Sequence, residues 1–70
     1  MLQITVLIAQ GFEEMEVVTP VDIWRRAGFE VSLMAVEEKV VVKGSRNISL
    51  VSDELYDSKK IKKADLLYIP

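Results

Sequence analysis

Residues 11–31, GFEEMEVVTPVDIWRRAGFEV, join two apolar runs and decide the fold. Upstream, Ile4-Thr-Val-Leu-Ile-Ala9 is a β-branched run that reads as a strand buried on both faces, the signature of a parallel sheet. Downstream, Phe29 to Val36 reads as a second such strand. Between them Glu14–Ala27 carries helical periodicity. At 100° per residue Val17, Pro20, Val21, Trp24 and Ala27 share the arc that would pack on a sheet. Met15, Thr19, Asp22 and Arg26 share another face, with Asp22 and Arg26 in i,i+4 register. Gly28 after Arg25-Arg26 is a C-terminal stop. Strand, helix and strand together have the length of a right-handed parallel crossover.

One local conflict sits inside the helix. Thr19-Pro20-Val21-Asp22 looks like a helix start, with Thr as N-cap and Pro at the first position. The amphipathic register begins six residues earlier, where Pro20 leaves the Glu16 carbonyl without its helical donor. The longer helix with a local distortion is the reading adopted.

The rest of the chain is more polar. Val40–Lys43 and Ile48–Val51 read as short strands around a Gly44-Ser45 turn. Asp53–Lys63 is a solvated segment around Ile61. Ala64–Ile69 reads as a third buried strand before Pro70. Three apolar strands with one clear helix leave a parallel sheet undercovered. A domain complete at residue 70 would expose Leu66, Leu67, Tyr68 and Ile69. Residues 1–70 are therefore expected to be the N-terminal half of one larger α/β domain, the remaining C-terminal half being its first partner.

Composition narrows the chemistry. Seventy residues can bury only about 60% of their unfolded surface. Half are apolar and the net charge is −2, which gives no electrostatic footprint for nucleic acid. The Lys59–Lys63 run is read as a solvated face. The chain has no cysteine and no histidine, so it lacks a thiolate, a disulfide, the usual general base and the commonest metal ligand. No apolar run is long enough to cross a bilayer, and the first residues lack the basic start of a secretory signal. A soluble, cytoplasmic protein without membrane contact is expected.

In open α/β sheets ligands bind beyond the carboxyl ends of the strands. The acids that follow the first strand lie at such an end. Glu13 and Glu14 read as complements to the positive end of the helix dipole. Glu16, at the strand–helix junction, is expected to lie closer to the sheet and to be less exposed. There a carboxylate in a partly dry cleft could give or take a proton.

The block VLIAQGFEEMEVVTPVDIWRRAGFEV, with GSRNISLVSD and ADLLYIP after it, resembles the opening of the ThiJ/PfpI superfamily. The resemblance spans essentially the whole chain. It implies a flavodoxin-like parallel-sheet sandwich, of which these residues form the N-terminal part, and a reactive cysteine on a later elbow outside this chain. It assigns to Glu16 the hydrogen bond to that cysteine. Gly11 falls in the tight loop beside the pocket and Asp22 close to it. Arg46 falls near both the site and a homodimer interface, which Met15 and Arg26 would share. The implied activity is a glyoxalase or deglycase acting on small carbonyl substrates without metal or organic cofactor, and this chain alone would be inactive. The alternative is a redox-sensing, chaperone-like stress protein whose cysteine is oxidised to sulfinic acid beside the same glutamate.

Overall fold

The computed structural model describes residues 2–70. The first apolar run forms β1 (Gln3–Ile8), followed by α1 (Glu14–Arg26) and β2 (Glu30–Ala35). β1 and β2 are parallel, with Ile4 opposite Val31, Val6 opposite Leu33 and Ile8 opposite Ala35. Those six side chains pack with Val17 and Val21 of α1 and with Phe12 as the core. The opposite face is drier than simple alternation requires, since Thr5 and Met34 are also buried. That is the continuous apolar pattern of a strand flanked on both sides.

The helix starts at Glu14 and runs through Pro20, as its amphipathic register requires. Phe12, one residue before the cap, and Val17, four residues into the helix, are buried in one cluster and fix the entry of the chain. Val17 and Val21 are buried, and Pro20 and Trp24 are half-buried. Ala27, expected on the packing arc, is instead the exposed C-cap. The exit is a Schellman turn: Phe29 N–H donates to the Trp24 carbonyl and Gly28 N–H to that of Arg25, with Gly28 at φ +90°.

β3 (Val41–Lys43) and β4 (Ser49–Val51) form a separate antiparallel hairpin. Its tip closes with the Asn47 N–H on the Gly44 carbonyl and the Gly44 N–H on the Ile48 carbonyl. Asn47 takes the left-handed conformation (φ 67°) that ends a three-residue hairpin loop. Val42 and Leu50 carry the hairpin onto the core.

β5 (Glu54–Leu55), α2 (Ser58–Lys63) and β6 (Leu66–Tyr68) follow, and the sheet order is β5-β2-β1-β6, parallel throughout. β5 has no hydrophobic signature. It is held in place by Asp53, whose carboxylate accepts the Leu33 N–H and pairs with Arg25. β6 is a strand as expected but not a buried one. Leu66, Leu67 and Ile69 are 44%, 39% and 68% exposed, because among the described residues β6 is an edge with β1 as its single neighbour.

Candidate functional site

β1 ends at Ile8, and the chain turns through Gly11 (φ +85°) into α1. The three acids after this turn have three different fates. Glu13 is the N-cap, and its carboxylate accepts the Met15 N–H at 3.3 Å and the Glu16 N–H at 3.2 Å. Glutamate is an unusual cap, but it satisfies two of the helix's free donors.

Glu14 is buried, with 5% of its surface exposed. Its carboxylate accepts the Arg46 N–H at 2.7 Å, the Ile48 N–H at 3.3 Å and the Ser45 hydroxyl at 3.3 Å. Burial pushes its pKa up, but hydrogen bonds from its own N–H, from Arg46 and Ile48, and from Ser45 outweigh that and hold it below the ordinary carboxylate value. Glu14 therefore stays ionised as the internal anion of the hairpin tip. Other bonds tie the same two segments together. Gly11 N–H donates to the Lys43 carbonyl at 2.8 Å, Ser45 N–H to the Phe12 carbonyl at 2.8 Å, and Lys43 N–H to Gln10 Oε1 at 3.1 Å. The β1–α1 turn and the β3–β4 tip thus form one hydrogen-bonded unit that carries both Gly11 and Arg46.

Glu16 is exposed, as is Glu13, and Glu14 is the buried one of the three, the reverse of the sequence expectation. The reason is helical phase. Glu14 lies three residues before Val17 and seven before Val21, so it falls on the buried arc. That signal was available in the sequence. Among the described residues the Glu16 carboxylate has no hydrogen-bond or ion-pair partner, while its backbone is held at both ends. Its N–H goes to Glu13, and its carbonyl accepts the Tyr68 hydroxyl at 2.8 Å. This bond fills the vacancy left by Pro20. The missing donor is implied by sequence, but its supply from a residue 52 positions away is not.

Asp22 bonds Arg26 at 2.8 Å on the outer face of α1, in the anticipated register, which raises the Arg26 pKa. Met15 is exposed on that helix, and Arg46 is exposed at the hairpin tip. At the carboxyl ends of β1, β2 and β6 an open cleft of about 290 Å³ is lined by residues including Leu7, Gly11, Phe12, Val36, Ile69 and Pro70. Gly11 alone of the sequence-selected residues lines it; Glu16, Asp22 and Arg46 do not. No three Asp or Glu side chains converge on a metal-sized site among the described residues.

A parallel sheet with its acid-bearing turn at the carboxyl edge defines a flavodoxin-like α/β protein. The chain belongs to the DJ-1/PfpI family, which it matches over residues 2–70. It is 43% identical over 68 residues to Protein DJ-1 homolog A of Arabidopsis thaliana, covering 97% of this chain and 17% of that protein. It is 39% identical over 66 residues to the Parkinson disease protein 7 homolog of Danio rerio, covering 93% of this chain and 35% of that one. Oxidized Toxoplasma gondii DJ-1 superposes with a TM-score of 0.92 at 33% identity, covering all of this chain and 38% of that structure. The chain thus spans well under half the length of each. No helix among the described residues is long and apolar enough to cross a membrane.

Proposed function

We propose that residues 1–70 are the N-terminal part of a larger DJ-1/PfpI domain. In it, Glu16 exchanges a proton with a cysteine contributed from outside this chain, in a cytoplasmic enzyme of the glyoxalase or deglycase class. The reading rests on the division of labour among the acids. Glu13 is committed to the helix end and Glu14 to the hairpin, and of these three acids only Glu16 keeps a carboxylate without a partner among the described residues. The exposed Leu66, Leu67 and Ile69 support further elements packing on the β6 edge. In the first step the thiol proton passes to the Glu16 carboxylate as sulfur bonds to the carbonyl carbon of the substrate. The proton then returns to the carbonyl oxygen, which leaves a hemithioacetal. Gly11 borders the cleft, and Asp22 and Arg46, which do not line it, are assigned to the neighbourhood of the completed site. Met15, Arg26 and Arg46 are the proposed seam of a two-fold dimer.

The test compares Glu16→Gln with Glu13→Gln in the protein that carries this chain, using methylglyoxal turnover. Glu16→Gln should abolish most of the turnover, and Glu13→Gln should retain it, because an amide keeps the shape of a carboxylate but cannot exchange a proton. Equal losses would remove Glu16 from the mechanism. A redox-sensing role is the second reading, favoured by the Toxoplasma relative having been solved in an oxidized form. It assigns the same glutamate to a cysteine sulfinate and expects peroxide-driven oxidation in place of carbonyl turnover.

A further inference from the structure

A proton-transfer carboxylate needs a fixed origin, since small displacements cost large factors in rate. Glu16 sits in the first turn of a helix whose hydrogen-bond ladder is broken at its own carbonyl, because Pro20 has no N–H to donate. Left alone, that carbonyl would face water and the turn would be free to fray. The Tyr68 hydroxyl donates to it at 2.8 Å. Tyr68 is itself held twice. It stands opposite Val6 in the β1–β6 register, and its ring meets Trp24 edge to face, with centroids 5.3 Å apart and planes at 84°. Trp24 lies one helical turn beyond Pro20, so the ring braces α1 on both sides of the defect. Together with the Glu13 carboxylate on the Glu16 N–H, this pins the Glu16 backbone at both ends and leaves its side chain unengaged.

We propose that Tyr68 is a positioning residue for Glu16, acting through the carbonyl that Pro20 leaves open. The inference rests on the reading of Glu16 as the proton-transfer group. It makes the edge strand β6 part of the site's machinery, although Tyr68 touches no reacting atom.

The experiment is a kinetic cycle on methylglyoxal in the protein that carries this chain, with wild type, Tyr68→Phe, Pro20→Ala, the double variant and Glu16→Gln. Phenylalanine keeps the ring on Trp24 and removes only the hydroxyl. Tyr68→Phe should lower kcat by about 10- to 100-fold with KM little changed. Pro20→Ala restores an N–H to the Glu16 carbonyl, so the double variant should turn over within about twofold of Pro20→Ala alone, a threshold far below the loss expected for one misplaced group. Rescue by a backbone N–H separates positioning from packing, since ring packing is the same in both backgrounds. Wild-type kcat in Tyr68→Phe, or a loss that persists undiminished in the Pro20→Ala background, would overturn the inference while Glu16→Gln remains inactive. Full turnover in Glu16→Gln would instead overturn the proton-transfer reading and the inference with it.

Discussion

Gly44 separates the steric reason for a glycine from the conformational one. Its φ lies outside the left-handed region, so an alanine can adopt its backbone. A Cβ at residue 44 would nevertheless run into the buried Glu14 side chain, 2.5 Å from Cδ and 2.8 Å from Cγ, and closer still to Oε2. All three nearest atoms belong to Glu14, so the carboxylate must retreat. Its 2.7 Å bond to the Arg46 N–H cannot survive a shift of that kind. Gly44→Ala should therefore destabilise the protein by about 1–3 kcal/mol, the usual cost of overpacking. In a Glu14→Ala background the obstacle is gone. The same substitution should then stabilise by about 0.4–1 kcal/mol, through the smaller freedom of the unfolded chain. The assay is urea unfolding of the four proteins of the cycle by circular dichroism, with the Arg46 and Ile48 amide resonances as local reporters. The expected coupling is about 1.5–4 kcal/mol with a change of sign. An equal cost in both backgrounds would show that Glu14 does not hold the hairpin tip.

Acid should release that clamp late. The folded-state pKa of Glu14 lies below its ordinary value of 4.5, so its contribution is fully present above that pH and is lost as pH falls through the lowered folded value. Hydrogen exchange at Arg46 and Ile48 should stay slow from neutral pH down to about 4.5 and quicken only below it, and Glu14→Gln should abolish the transition. Gly28→Ala should cost about 1–2 kcal/mol from backbone strain alone, measured by the same unfolding assay, since its Cβ meets nothing within 4 Å. At the proposed two-fold seam, Met15→Lys would set like charges against each other and should yield monomers in sedimentation; an unchanged dimer would move the interface elsewhere.

The β1–α1–β2 unit was legible because its determinants are local and periodic: a β-branched run, a helical stripe and Gly28. Even the weak point at Pro20 was readable as a carbonyl without a donor. The short strands β3, β4 and β6 were readable from their apolar runs and the Gly44-Ser45 turn, whereas β5 and α2 were not. β5 is held by Asp53 and Arg25 through side-chain bonds that no window of sequence displays. The exposure of β6 follows from its place at the sheet edge, which topology decides and apolar character does not. The surroundings of the three acids were legible only in part. Glu13 at the helix end is a local feature, but the burial of Glu14 and the bond to the Glu16 carbonyl depend on partners about 30 and 50 residues away in the chain.

Under the role proposed for Glu16, those partners also give a reason why the acids should not be interchangeable. A helix start presents unsatisfied N–H groups, and any nearby carboxylate will be drawn to them. An acid meant for proton transfer at that location must escape such capture. Here the donors are divided beforehand: Glu13 takes the Met15 and Glu16 N–H groups, and Glu14 is turned by helical phase onto the hairpin's own donors. Only then does Glu16 emerge with a fixed backbone and an uncommitted carboxylate. On this account the structural acids make the third one available. Removing the cap oxygens altogether, as in Glu13→Ala, should therefore reach Glu16 by exposing the Met15 and Glu16 N–H groups to competition for its carboxylate without any change at the sheet, whereas Glu13→Gln keeps an acceptor at the helix end.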